Sequence, residues 1–142
     1  MSMLVMNFQL PCEEYALEHI GDVIEHSLLK FTDTSDRKLN FVIQELIVNA
    51  YEATVKKYED AALNYHIDIK VEINNDFISA SITDRGTGIS EQQYRSFTKK
   101  TLEDALHQER GRGLLMVKEL VDQLSFYQED HDLFTVSIEK RR

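Results

Sequence analysis

Apolar and polar positions alternate or recur with a definite period along most of the chain, and the period changes from segment to segment. LVMNFQL at 4–10 is branched and aromatic, which predicts a short strand. Leu17, Ile20, Ile24, Leu28 and Phe31 then recur at helical spacing. They predict a first amphipathic helix that opens near Pro11, Glu13 and Glu14 and ends near FTDTS. Leu39, Val42, Ile43, Leu46, Ala50 and Ala53 form a second apolar stripe, capped by Ser35 or Asp36 and running to about Tyr58. HIDIKVEI at 66–73 and FISASIT at 77–83 alternate strictly on either side of NND, the pattern of an antiparallel hairpin. Residues 90–110 show no clean period and are expected to form a loop with one short helix around Leu102 to His107. LLMVKELVDQL returns to helical spacing, and LSFYQE with LFTVSIEK predicts a closing pair of strands.

Helices grouped beside antiparallel strands, with no repeat and no linker, predict a single α+β domain over residues 1–142. The expected architecture is a two-layer sandwich with helices on one face of a mixed or antiparallel sheet. Composition agrees with a soluble globular class: 42% of residues are hydrophobic and 29% charged. The formal charge of −9 argues against direct binding to nucleic acid or an anionic membrane, so an anionic ligand must be held by local groups. No run approaches the length of a membrane helix, and one cysteine, Cys12, suits a reducing compartment; the expected place is the cytoplasm. Cys12 reads as a small, partly buried helix residue rather than a nucleophile, and the five histidines lack metal-ligand spacing.

Candidate chemistry lies in three places. Glu45, Asn49 and Glu52 stand at i, i+4 and i+7 on the second helix, beside its apolar stripe. A carboxylate can accept a proton from an attacking hydroxyl, and a carboxamide oxygen is a hard ligand suited to Mg²⁺. Asp84 ends an alternating strand and is followed by Arg85, Gly86, Thr87 and Gly88. That carboxylate can accept a hydrogen bond from an exocyclic amine, and the glycines allow close approach to the backbone. Gly111, Arg112 and Gly113 open a helix, where free N–H groups face an anion. Between 90 and 112 five basic residues stand against four acidic ones, a local relief in an acidic chain. Neither the P-loop pattern nor the dinucleotide G-x-G-x-x-G pattern occurs.

Together, ELIVNA at 45–50, DRGTGI at 84–89 and GRGLLMV at 111–117 resemble the three ATP-site motifs of the GHKL superfamily, the group of DNA gyrase, a heat-shock chaperone and histidine kinases. At this length the chain is most similar to the bacterial anti-sigma factor serine kinases. The resemblance implies a histidine-kinase-like (Bergerat) fold and ATP and Mg²⁺ as cofactors. It implies serine/threonine kinase activity on a STAS-type antagonist, sequestration of a sigma factor, and pairing of two chains through the sheet. It gives Glu45 the place of the general base and Asn49 that of the Mg²⁺ ligand. Asp84 takes the adenine-amine contact, Gly86 and Gly88 the base side, and Gly111, Arg112 and Gly113 the phosphate side. Two departures stand out: Tyr51-Glu52-Ala53-Thr54 follows Asn49 where relatives often carry a basic residue, and Asp132-Leu133-Phe134-Thr135 replaces the family's Gly-Thr, so Thr135 is assigned no adenine contact. Two alternatives remain open: a module in which ATP only tunes partner affinity, and a detached histidine-kinase catalytic domain.

Overall fold

The computed structural model describes residues 2–33, 37–86, 112–130 and 133–142. Its elements follow in order: β1 (Ser2–Pro11), α1 (Glu14–Phe31), α2 (Lys38–Tyr58), a 3₁₀ turn (Glu59–Asn64), β2 (His66–Asn74), β3 (Phe77–Asp84), α3 (Arg112–Leu120), β4 (Gln123–Asp130) and β5 (Leu133–Arg141). The five strands form one sheet in the order β1-β2-β3-β5-β4, and every neighbouring pair is antiparallel. The α+β class and its layered plan are as the sequence predicts, with the sheet antiparallel throughout. The expected loop over 90–110 and its short helix lie outside the described residues, as do the basic and acidic side chains counted between 90 and 111.

Period-2 alternation gives the sheet two unlike faces. Ile67, Ile69, Val71 and Ile73 of β2 face inward with Ile78, Ala80 and Ile82 of β3 and Phe134, Val136 and Ile138 of β5. Register places them in rows such as Ile69–Ile82–Val136, so the buried side chains of three strands meet the helices as one surface. Leu17, Ile24 and Leu28 of α1 and Leu39, Val42, Ile43, Leu46, Ile47 and Ala50 of α2 complete this core. Each fully buried Ile or Leu gains about 1.5–3 kcal/mol over an exposed one, which fixes which face the helices cover. The opposite face carries hydroxyl pairs, Ser81–Ser137 at 3.0 Å and Thr83–Thr135 at 2.7 Å between oxygens.

Local chemistry explains the boundaries. The Glu13 carboxylate accepts from the N–H groups of Tyr15 and Ala16, at 3.0 and 2.6 Å, and starts α1. Pro11 instead ends β1, and Cys12 sits in the junction between strand and helix, buried, rather than within a helix. Phe31, expected on the core stripe, is 43% exposed at the last residue of α1, where the helix has run past the packed surface. The cap position of α2 falls on Arg37 with no side-chain cap, just after the expected Ser35 or Asp36, which lie outside the described residues. The turn between β2 and β3 is an Asx turn: Asn74 Oδ1 accepts from the N–H groups of Asp76 and Phe77.

Candidate functional site

Asp84 is the last inward position of β3. It continues the buried row Ile78, Ala80, Ile82 and is only 4% exposed, a carboxylate where the pattern calls for an apolar side chain. Its Oδ1 accepts from the Gly86 N–H at 2.8 Å. Burial dominates its titration and pushes the carboxyl up to about 6, against the opposing pull of the Gly86 hydrogen bond and of the Arg85 and Lys57 charges. Burial of a carboxylate at a strand end, with its titration raised, makes this end of β3 a candidate ligand site.

Gly86 explains itself by crowding. A Cβ on it would lie 2.5 Å from the carbonyl carbon and oxygen of Ala53 and 2.7 Å from the Thr54 nitrogen, so any larger residue must displace the backbone of α2. The close approach that requires glycine here is to the protein's own helix. It brings the turn after β3 against the helix that carries Glu45 and Asn49 and joins two of the sequence motifs in space.

Glu45 and Asn49, one turn apart on α2, are both half-buried, whereas Glu52 is exposed. The Asn49 Nδ2 is buried and makes no hydrogen bond among the described residues. A buried amide left without a partner costs about 1–3 kcal/mol. The polar stripe read from sequence is therefore a pair, Glu45 and Asn49, with Glu52 on the solvent side.

Two residues at this site escaped the sequence reading. Thr54 is fully buried and its hydroxyl donates to the Ala50 carbonyl at 2.8 Å; it replaces Ala53 as the end of the core stripe, and Ala53 instead faces Gly86. Its signal was a hydroxyl at i+4 from Ala50. Cys12 Sγ lies 3.9 Å from the Tyr51 carbonyl, its hydrogen-bond acceptor. Burial raises the Cys12 thiol, a Thr54 hydrogen bond opposes this, and the Asp84 charge adds to the rise, so the thiol stays protonated and inert. Cys12 thus links Thr54, its hydrogen-bond partner, to the charge of Asp84.

α3, whose start the resemblance places at the phosphates, begins at Arg112 with Gly113 in its first turn and packs against α2, with Leu115 and Val117 buried. Gly88 and Gly111 lie outside the described residues. Thr135 pairs with Thr83 on the outer face of the sheet, whereas Asp84 points inward opposite Phe134 in the β3–β5 register, which accounts physically for leaving Thr135 without an adenine contact. A surface depression lined by Asn7, Gln9, Asp68, Lys70, Ser81 and Thr83 among others also lies on that outer face and holds none of the predicted site residues.

The chain matches the family model described as histidine kinase-like ATPase domain over residues 13–139. Among solved structures it is similar to a chain of the SiaB–SiaC complex from Pseudomonas aeruginosa, with a TM-score of 0.66 and 18% identity over 99% of this chain and 91% of that one. A search of curated protein sequences gave no match.

Proposed function

Because the chain belongs to the histidine kinase-like ATPase domain family, we propose that it is an ATP- and Mg²⁺-dependent serine/threonine protein kinase of the anti-sigma, partner-switching kind, acting on a STAS-type antagonist. The observation that carries the reading is the buried Asp84, held at the end of β3 while Gly86 presses on the helix of Glu45 and Asn49. A carboxylate sealed from water and bound to one backbone N–H retains acceptor capacity for an adenine amine.

The donor set fits the expected cofactors. Among the described residues no group of three or more His, Cys, Asp or Glu could hold a metal ion by itself. A single carboxamide oxygen from Asn49 fits Mg²⁺, which takes its other ligands from phosphate oxygens and water and, when bound, neutralises the charge that builds during phosphoryl transfer. The unpartnered Asn49 Nδ2 can donate to a phosphate oxygen. Glu45, a turn earlier, accepts the proton of the attacking serine or threonine hydroxyl. The N-terminus of α3, with Arg112 and Gly113, offers N–H groups to the phosphates, and Gly88 and Gly111 take the family's places beside them.

A protein partner is supported by the similar solved structure, which is a complex of two proteins. Pairing of two chains is supported by β1, a ten-residue edge strand with Met3 and Val5 exposed. No helix among the described residues is long and apolar enough to cross a membrane. The cytoplasm remains the place we propose.

Incubating the chain with Mg²⁺, gamma-labelled ATP and a STAS-type antagonist protein from the same organism tests the activity. The expected product is labelled partner protein whose phosphate survives acid. Acid-labile label points to a histidine-kinase catalytic domain instead, and nucleotide binding without transfer to a module that ATP merely tunes.

A further inference from the structure

We propose that Arg85 is a positioning residue that fixes the nucleotide end of β3 from the opposite face of the sheet, by clamping it to the start of β2. The inference rests on the reading of Asp84 as the base contact. The β2–β3 ladder stops at the pair Asp68–Thr83, while β2 begins two residues earlier, where His66 and Ile67 pair with Pro11 and Leu10 of β1. Asp84 and the turn after it therefore extend past the last pair with β2, and strand pairing holds Asp84 only on the β5 side, through Phe134.

Arg85 fills that gap. Alternation sends Asp84 inward and Arg85 outward, to the face that carries Asp68. Nη1 donates to the His66 carbonyl at 2.7 Å and Nη2 to the Asp68 carboxylate at 2.9 Å. One planar guanidinium thus binds the backbone and a side chain of β2 together, and a lysine ammonium cannot reproduce that fork. The side chains are 24% and 36% exposed, so solvent weakens the charge attraction, and the two-point geometry is what restrains the turn.

The restraint reaches Asp84 directly. Its orientation is set by the hydrogen bond from Gly86, and Arg85 is the residue between them. Among the described residues, the groups that act on Asp84 are the charges of Arg85, next in sequence, and of Lys57 from α2, the Cys12 thiol from the β1–α1 junction and the Gly86 N–H. Replacing Arg85 by alanine loosens the acceptor and removes one of these positive charges.

The test compares wild type with Arg85→Ala and Arg85→Lys. Two quantities are read: MgATP affinity by equilibrium titration, and the titration midpoint of the Asp84 carboxyl carbon by NMR in ligand-free protein. We expect Arg85→Ala to weaken MgATP binding roughly tenfold and to raise the Asp84 midpoint. Arg85→Lys restores the charge without the fork, so the midpoint returns towards wild type while affinity stays reduced. An Arg85→Ala variant that binds MgATP as wild type does, or that loses affinity only in proportion to its unfolded fraction with the midpoint unmoved, overturns the proposal. If the wild-type chain binds no MgATP, the nucleotide reading fails, and hydrogen exchange at the Gly86 amide, which should be faster in both variants than in wild type, still decides whether the clamp holds the turn.

Discussion

Asp84→Asn is expected to make the protein more stable near neutral pH and unable to hold nucleotide well. The folded carboxyl keeps its proton up to about pH 6, because it is buried, whereas the unfolded chain releases it near 3.8. Between those values the folded state binds more protons, so stability falls as pH rises through the window and stays lower above it. About two pKa units correspond to a ceiling of about 3 kcal/mol, and the asparagine variant escapes this loss while keeping an oxygen for the Gly86 N–H. Chemical denaturation from pH 4 to 8 should show the variant gaining on wild type across this window, by about 1–3 kcal/mol once the cost of burying an amide is included. Affinity for MgATP should move the other way, down by roughly thirty- to a thousandfold at pH 7.5, because a charged acceptor is lost. Wild-type affinity should also decline as pH drops below about 6, and the variant should lack that acid limb. A destabilised variant would contradict the cost of burying this charge, and one that binds MgATP unchanged would remove Asp84 from the site.

Glu45→Ala carries the second large effect, on transfer rather than on binding. Glu45 is half-buried on α2, one turn before Asn49, and no described hydrogen bond, helix cap or core contact depends on its carboxylate. Its loss should leave stability within about 0.5 kcal/mol and MgATP affinity within about threefold. Label transfer to the STAS-type protein should fall by about a hundredfold or more, the usual contribution of a positioned base. Glu45→Gln, which keeps the shape and removes the proton acceptor, should behave as Glu45→Ala does. Transfer at the wild-type rate in either variant would deny Glu45 its role.

The alternation of β2 and β3 and the stripe of α2 were legible because they are local: each needs only neighbours within a few residues. So was the position of Asp84, the next inward place after Ile78, Ala80 and Ile82. Its burial was not, because that depends on packing between distant elements: the charge of Asp84 is felt by Cys12, 72 positions away in sequence, and the turn after it lies against Ala53 and Thr54 of α2. Gly86 shows the same limit. The sequence suggests freedom for a ligand's approach, and the fold shows that the space is taken by the backbone of Ala53 and Thr54. The misplaced helix features have a simpler origin. Helical spacing continues through Phe31 although the packed surface has ended, and three polar positions on α2 share a face although only Glu45 and Asn49 turn towards the interior.

The proposed function requires nucleotide to sit between the end of β3 and the middle of α2. Titrating MgATP into isotope-labelled protein and following backbone and side-chain amide signals tests it most directly. The account predicts saturable shifts at Asp84, Gly86, Ala53 and the Asn49 carboxamide, with Lys70 and Ser137 on the outer face unmoved. Saturable shifts on the outer face with Asp84 and Asn49 silent would contradict it, as would no response at millimolar nucleotide.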